Sequence, residues 1–292
     1  MKRTETPEVE DRRMKLELRL AQMEEVQGCR EDFLKYVRKV WPEFIAGAHH
    51  KMIAKKFEDI ANGKNKRLII NMPPRHTKSE FASYLFPSWI IGRAPKTKII
   101  QTTHTAELAV NFGRKVRNLI ATTEYQNIFD AVDLQSDSKA AGRWSTNHGG
   151  EYFAAGVGGA ITGRGADLLI IDDPHSEQDA LSETAMEHAY EWYTSGPRQR
   201  LQPGGAIVIV MTRWSLKDLT EKVIKAQGYD ENADKWEVIE FPAIMPSGNA
   251  CWPEYWKTEE LEGVRASLSV SKWNAQWQQN PTSAEGAIIK KE

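Results

Sequence analysis

The sequence predicts an α/β fold with a doubly wound, mainly parallel β-sheet. Apolar segments of strand length alternate with segments of helical periodicity, a pattern typical of parallel sheets covered by helices on both faces. The expected strands are residues 67–71, 98–102, 151–154, 167–172, 206–212 and 236–241. The expected helices between them lie near residues 78–86, 105–121, 182–194 and 215–227.

Two regions flank this core. Residues 1–32 form a charged N-terminal extension with a solvated helix, because Lys, Arg and Glu are dense there among scattered apolar residues. The core is expected to span residues 33–245, starting with two helices broken around Pro42. Residues 246–292, rich in Trp, Pro and Glu, are expected to form a small subdomain or linker.

The composition limits the classes of function. A chain of 292 residues with 40% hydrophobic residues can bury one large core plus an appendage. Its apolar runs are far too short for a membrane span, so no membrane partner is expected. Cys29 and Cys251 are too far apart in the sequence for metal-ligand spacing, so no zinc site is expected. A net charge of −1 means that any contact with nucleic acid needs a local basic face.

The most informative segment is the strand at residues 67–71 and the loop after it, which ends in Lys78-Ser79 and opens a helix. Helix N-termini present unpaired N–H groups and a positive dipole end, which favour phosphate. Lysine supplies a counter-charge and serine a hydroxyl for Mg²⁺, so the segment is interpreted as the Walker A loop of an ATP site. The alternative is an ordinary strand, turn and helix.

The loop departs from the usual pattern G-x-x-x-x-G-K-[ST], because Met72 and Thr77 occupy the two glycine positions. A β-branched residue at positive φ costs about 1–3 kcal/mol, so we expect either an ordinary φ at Thr77 or a distorted loop. The prolines at 73 and 74 lack N–H groups, so the phosphate donors are expected from Arg75, His76, Thr77, Lys78 and Ser79. Arg75 is a candidate phosphate contact or else a surface arginine. His76 is interpreted as a loop residue rather than a base.

A second motif supports the ATP site. The apolar residues 168–171 are followed by Asp172 and Asp173, at the strand end where open α/β sheets place their ligands. As a Walker B element, Asp172 would hold Mg²⁺ through water, and Asp173 would orient or deprotonate the attacking water. The alternative is a strand that ends in a solvated acidic turn before Pro174.

Four segments together resemble the large terminase subunits of tailed bacteriophages, the motors that pump DNA into procapsids. The resemblance spans about residues 33–288. The segments that carry it are residues 73–79, 156–167, 212–214 and 273–281. This family usually has glycine where this chain has Thr77, and often glutamate where it has Asp173.

The resemblance implies a P-loop NTPase of the ASCE type, with ATP and Mg²⁺ as cofactors and double-stranded DNA as the translocated partner. It also implies a portal protein and a small terminase subunit as partners, and a homo-oligomeric ring on the procapsid formed from subunits that are monomers in solution. The expected location is the host cytoplasm, and transiently the portal vertex. Family members normally continue into a nuclease domain, which is expected to be absent from this chain.

The resemblance also suggests roles for residues outside the two motifs. Phe44, His49 and His50 lie where the family recognises adenine, although the histidines could equally lie on a plain helix surface. Thr212 is expected to sense the γ-phosphate or to belong to a capped helix start before Leu216, and Arg213 to pair with Asp173 or the phosphate.

Arg164 lies in a glycine-rich segment that could bring it to a γ-phosphate between subunits, or it could bind Asp167 instead. Arg114, Lys115 and Arg117 are candidates for DNA phosphate contacts on a helix that could also be an ordinary amphipathic surface helix. The tryptophans after residue 250 are interpreted as packing residues.

Two other functions match parts of the sequence. A helicase-like DNA-remodelling ATPase is suggested by Asp172-Asp173-Pro174-His175, but it would need a second large domain. A nucleotide-binding switch is disfavoured because residues 65–68 lack the aspartate of a guanine motif.

Overall fold

The computed structural model describes residues 7–282, which form one eight-stranded sheet with helices on both faces. The strand order is β3-β4-β5-β2-β6-β7-β1-β8. The strands are β1 Arg67–Asn71, β2 Lys98–Thr103, β3 Leu134–Ala140, β4 Arg143–Thr146, β5 Glu151–Gly156, β6 Ala166–Asp172, β7 Leu201–Met211 and β8 Glu237–Glu240.

Six neighbouring strands, β5-β2-β6-β7-β1-β8, are parallel, and the β3 and β4 strands extend one edge in antiparallel pairing. The β7 strand lies between β1 and β6. The β1 strand precedes the Lys-Ser loop, and the β6 strand ends in Asp-Asp. ASCE-type P-loop folds have one strand inserted between these two, as β7 is here. The predicted fold class is therefore confirmed.

The helices cover both faces of the sheet. They are α1 Pro7–Glu31, α2 Phe33–Val40, α3 Ala48–Ala61, α4 Phe86–Arg93, α5 Ala106–Ile120, α6 Thr123–Gln126, α7 Glu183–Ser195, α8 Leu219–Tyr229, α9 Thr258–Ser267 and α10 Val270–Lys272. Two π-helical turns, Glu80–Leu85 and Trp273–Trp277, and two 3₁₀ turns, Asp179–Leu181 and Pro197–Arg200, complete the list. No helix within residues 7–282 is long and apolar enough to cross a bilayer.

Alternation along the strands divides the interior into two cores. In β1, Leu68 and Ile70 pack into the larger core with α2 to α5, and Ile69 packs into the second core with α7 and α8. Successive side chains of a strand point to opposite faces, so a strand that is apolar at every position is covered on both sides. This explains why β1, β6 and β7 are continuous apolar runs.

The predicted strands and helices are found with small shifts, with two exceptions. The β7 strand starts five residues earlier than expected, and the helix expected near residues 78–86 is a π-helical turn, Glu80–Leu85, that continues into α4 up to Arg93. The β3 and β4 strands were missed, because β3 is polar and mostly exposed at the sheet edge and so lacks an apolar pattern. The predicted N-terminal helix is present as α1, although residues 2–6 lie outside the described part. The helices expected around Pro42 are α2 and α3.

A third, smaller core lies in the C-terminal part of the chain, within the predicted subdomain or linker and just before it. Its buried residues are Ala243, Ala250, Leu261, Trp273 and Trp277. The expected boundary at residue 246 stays a prediction, and residues 283–292 lie outside the described part. Cys29 and Cys251 are both buried free thiols.

Phe33→Ala should lower the free energy of unfolding by about 3–5 kcal/mol, because it empties the centre of an aromatic cluster. The fully buried Phe33 ring lies 5.3–5.9 Å, between centroids, from the rings of Phe57, Phe81, Phe86 and Trp89. Urea denaturation measures the change. Leu18→Ala on the exposed face of α1 is the control and should stay within about 0.5 kcal/mol of wild type. Equal effects of both substitutions would contradict this packing.

Candidate nucleotide-binding site

The loop of residues 72–79, called here the 72–79 loop, connects the end of β1 to the following helical turn. Arg75 and Thr77 have left-handed backbone conformations, with φ of 60° and 66°. Of the two alternatives expected for Thr77, the ordinary φ is therefore excluded, and threonine adopts the conformation for which the common pattern uses glycine. Left-handed residues alternating with right-handed ones turn successive N–H groups toward one side, which creates a concave site for anions. The Phe81 N–H donates to the Thr77 carbonyl at 3.0 Å, so the helical turn starts directly after this concave segment.

Four predicted residues meet where β6 ends beside this loop. The Ser79 hydroxyl donates to Asp172 Oδ1 at 2.9 Å, and Lys78 Nζ lies 3.0 Å from Asp173 Oδ2. Lys78 and Asp172 are buried, whereas the Asp173 side chain is partly exposed. The hydroxyl, ammonium and two carboxylates thus form one charged cluster at the C-terminal edge of the sheet.

Thr212, the first residue after β7, connects the two motifs. Its N–H donates to Asp173 Oδ1 at 2.8 Å, and its hydroxyl donates to the Met72 carbonyl at 3.2 Å. Asp173 itself has a φ of 41°. One residue therefore orients the second carboxylate and also holds the start of the 72–79 loop.

Asp172 is a carboxylate deep inside the protein. Burial, and then the nearby charge of Asp173, raise the pKa of Asp172, although hydrogen bonds from Ser83 and Ser79 oppose the shift. The Ser83 hydroxyl donates to Asp172 Oδ2 at 2.7 Å. A carboxylate and a hydroxyl are hard oxygen donors, the type that Mg²⁺ prefers, so Ser79 and Asp172 fit a magnesium site.

A cavity of about 380 Å³ opens beside Lys78 and Ser79. Its lining combines aromatic and charged side chains, which match a flat base and a phosphate chain. The lining residues are Trp41, Glu43, Phe44, Ile45, Arg75, Thr77, Lys78, Ser79, Glu80, Trp252 and Tyr255. Phe44 and Arg75, both predicted from the sequence, are in this wall.

His49 and His50 are absent from the lining of this cavity, and both are buried near Phe44. They pack with His76 and Trp252, with ring centroids 3.8 Å apart between the two histidines and 6.2 Å apart between His49 and His76. Burial lowers the pKa of His49 to about 3, of His50 to about 2 and of His76 to about 4. All three rings are therefore neutral in the folded protein at neutral pH.

Arg213 does not pair with Asp173, contrary to the prediction from the sequence. Its guanidinium instead binds Asp218 at 2.9 Å, Glu221 at 2.8 Å and Glu240 at 3.1 Å. Asp218 lies immediately before α8, Glu221 lies on α8, and Glu240 lies on β8. Together they hold the buried arginine away from the cluster. Arg213 thus anchors α8 to the sheet.

Arg164 does not contact the cluster in this chain. Its guanidinium lies 3.9 Å from the centre of the Phe153 ring in β5. The alternative partner, Asp167, accepts instead from the Lys98 N–H at 2.8 Å.

Sequence reasoning missed Ser83 and the aromatic pair Trp252 and Tyr255. Ser83 follows Ser79 by four residues, so helical spacing could have placed both hydroxyls on Asp172. Trp252 and Tyr255 are stacked, with ring centroids 4.4 Å apart, and both line the cavity. No local signal connects them with a loop that lies far upstream.

This fold and cluster are those of an ASCE-type P-loop protein, and comparisons with known proteins narrow the class further. No family model matches the chain. Over 165 residues, the chain is 24% identical to the terminase large subunit of Enterobacteria phage T3, covering 56% of this chain and 28% of that protein.

Two solved structures have the same fold. The large terminase of bacteriophage HK97 matches with a TM-score of 0.51 and 12% identity over 81% of this chain and 51% of that one. A mutant ATPase domain of the large terminase of Thermus phage P74-26 matches with a TM-score of 0.51 and 14% identity, over 84% of this chain and 97% of that one. The chain thus spans about half of the HK97 protein and nearly all of the isolated ATPase domain. The resemblance to phage large terminases inferred from the sequence is confirmed.

Acidification should destabilise the fold through the three buried histidines. Their folded pKa values are lowered below the ordinary 6.5, so their contribution to stability is complete above pH 6.5 and declines as the pH falls toward the folded values. Each histidine should cost up to about 2 kcal/mol of unfolding free energy between pH 7 and pH 5.

Urea denaturation of wild type and His49→Leu at pH 7, 6 and 5 measures this effect. The variant should lose less stability on acidification than wild type. His148→Gln, at an exposed histidine, is the matched control and should follow wild type. Identical pH dependence in His49→Leu and wild type would show that His49 is not a buried neutral group.

Proposed function

We propose that this chain is the ATP-hydrolysing motor domain of a viral terminase large subunit that translocates double-stranded DNA into a procapsid. The observation that carries the proposal is the meeting of Lys78 and Ser79, in the loop after β1, with Asp172 and Asp173 at the end of β6, on the two sides of β7. The similarity to phage large terminases supports the same assignment.

The proposed phosphate site uses the 72–79 loop. The N–H groups of Arg75 through Ser79 face the β- and γ-phosphates, and Lys78 neutralises part of their charge. Ser79 and Asp172 would hold Mg²⁺, which neutralises charge on the phosphate oxygens when it is bound. Arg75 is exposed at the cavity wall and supplies a further cation to the phosphate chain.

Asp173 is the proposed catalytic carboxylate. The Thr212 N–H fixes one of its oxygens, and Lys78 lies against the other, so the carboxylate is held in one orientation. When Lys78 turns to the γ-phosphate, this second oxygen is released to accept a proton from the attacking water. A movement of Asp173 then shifts Thr212, and the Thr212 hydroxyl passes this shift to the Met72 carbonyl at the start of the 72–79 loop.

The proposed base site is the aromatic side of the cavity. Its candidate stacking residues are Phe44, Trp41 and the stacked pair of Trp252 and Tyr255, which all line the cavity of about 380 Å³. His49 and His50 support this wall from behind rather than reading the base.

Arg164 is proposed to act on a neighbouring subunit. The guanidinium of Arg164 lies over Phe153 in β5. Phe153 is paired with Ile100 in β2, and Ile100 is paired with Leu169 in β6, three residues before Asp172. At about 3.3 Å per residue and about 4.8 Å between strands, Phe153 lies roughly 14 Å from Asp172. Arg164 is therefore too far from the site of its own subunit in this conformation, which supports a role in trans within a ring.

The proposed partners are double-stranded DNA, the portal protein, the small terminase subunit and further copies of the chain in a ring. The proposed location is the host cytoplasm, with transient binding at the portal vertex. On α5, Arg114 is exposed, Arg117 donates to the Lys139 carbonyl, and Lys115 pairs with Glu80 at 2.6 Å. Lys115 thus connects the proposed DNA-binding helix with the turn that follows the 72–79 loop.

Two aspartate variants test the division of labour in the site. Asp173→Asn should retain Mg-ATP affinity and the hydrogen bond from Thr212, but should lose turnover by on the order of 10²–10⁴-fold because the base is gone. Asp172→Asn should instead raise the Mg²⁺ concentration needed for activity, because it removes a carboxylate from the metal site.

Steady-state ATPase assays, with and without duplex DNA, measure both effects. Duplex DNA should accelerate the wild-type enzyme if hydrolysis is coupled to translocation. Lys78→Ala should be inactive, and Glu177→Gln, at an exposed carboxylate just beyond the site, should match wild type. Wild-type turnover in Lys78→Ala would refute the ATPase assignment.

Mixed subunits test Arg164. Arg164→Ala and Lys78→Ala should each be inactive, because the first lacks a transition-state contact worth on the order of 10³–10⁵ in rate and the second lacks the phosphate cation. A mixture should recover part of the ATPase activity at interfaces that combine one intact loop with one intact arginine. No recovery in mixtures shown to assemble, or full activity of Arg164→Ala alone, would exclude the role in trans.

A further inference from the structure

Thr77 is the residue of the proposed site whose conformation most needs an explanation. It is β-branched, and it has a φ of 66° at the position where the common pattern has glycine. Such a conformation is strained for a β-branched residue and persists only where surrounding contacts impose it. Lys78 and Ser79 follow directly, so the contact that holds Thr77 also sets where these two side chains start.

We propose that His50 is a positioning residue that holds Thr77 in this left-handed conformation and so replaces the missing glycine of the loop. His50 Nε2 lies 2.6 Å from Thr77 Oγ1. This inference rests on the proposed function only for its ATP-dependent measurements.

The hydrogen bonds of His50 show which nitrogen of its neutral ring carries the proton. The Gly47 N–H donates to His50 Nδ1 at 2.9 Å, so Nδ1 is the acceptor and the proton of the neutral ring lies on Nε2. Nε2 therefore donates to Thr77 Oγ1, and the Thr77 hydroxyl donates to the His76 carbonyl at 2.6 Å. One directed chain thus runs from the start of α3 to the backbone of the 72–79 loop.

The ring that makes these bonds cannot turn away. His50 is fully buried, with its centroid 4.7 Å from that of Phe44, 4.9 Å from Phe81 and 4.8 Å from Trp252. Burial lowers its pKa to about 2, so it keeps the neutral form that can both accept and donate. A buried and fully hydrogen-bonded polar side chain of this kind fixes one geometry.

The other end of the chain is equally constrained. Gly47 is the residue immediately before α3, and a Cβ there would lie 2.7 Å from Trp252 and 2.9 Å from His49. Only glycine fits between these rings and still presents its N–H to His50. A hydrogen-bonded unit of Gly47, His50 and Thr77 therefore joins the start of α3 to the 72–79 loop.

A suppressor experiment tests the proposal. His50→Phe keeps an aromatic ring but removes the donor, and we expect it to weaken ATP binding, measured by calorimetry, and turnover by at least about tenfold. Thr77→Gly is the reference background for this test, since glycine adopts positive φ without strain and does not need the contact with His50. The double variant Thr77→Gly/His50→Phe should return to the level of Thr77→Gly. An equal loss from His50→Phe in both backgrounds would overturn the proposal, because it would indicate general packing.

Two further measurements keep the test independent of folding and of the proposed function. His50→Gln retains an N–H donor and should lose less ATP affinity than His50→Phe, whereas equal losses would count against a donor role. The ¹⁵N shifts of the His50 imidazole should report a proton on Nε2 in the wild-type protein without nucleotide. A proton on Nδ1 would overturn the proposal even if the chain hydrolyses ATP, and the Nε2 form would support it even if Lys78→Ala showed the ATPase assignment to be wrong.

Discussion

The bonds of Thr212 to the ends of two other strands hold the candidate site together. Its N–H orients Asp173 at the end of β6, and its hydroxyl holds the Met72 carbonyl at the end of β1. Because β7 lies between these strands, a residue at its end is the natural place for such a link. The parallel sheet brings the three ends together, and the apolar runs of β1, β6 and β7 place that sheet in the centre of the protein.

The site is assembled in conformations that the backbone does not favour by itself. Arg75, Thr77 and Asp173 all have positive φ, and Asp172 is a buried carboxylate with a raised pKa. Strain of this kind clusters at functional sites, where the surrounding fold imposes it. Here His50 supports Thr77, the Thr212 N–H and Lys78 support Asp173, and the Ser79 and Ser83 hydroxyls satisfy Asp172.

The sequence predicted what depends on local pattern and missed what depends on distant partners. The β1, β6 and β7 strands were found because continuous apolar runs indicate strands covered on both faces. Open α/β sheets place their ligands at the carboxyl ends of the strands, and this rule correctly predicted that Asp172 and Asp173 lie beside Ser79 and Lys78. The polar β3 strand carries no such signal. The predicted pairing of Arg213 with Asp173 was wrong, because the carboxylates that bind Arg213, beside and on α8 and on β8, come together only in the folded chain.

Arg213 also has a neighbour that ties the site to the far end of the described chain. Its N–H donates to Gln279 Oε1 at 3.1 Å, and Gln279 has a left-handed backbone with a φ of 54°. Ala243, at the start of the small third core, donates its N–H to the Trp277 carbonyl at 2.6 Å. The N–H that orients Asp173 and the N–H that binds the C-terminal segment therefore belong to consecutive residues, Thr212 and Arg213, directly after β7. The second carboxylate of the site and the C-terminal segment are thus joined through two consecutive residues, so a shift of this backbone would reach both of them at once.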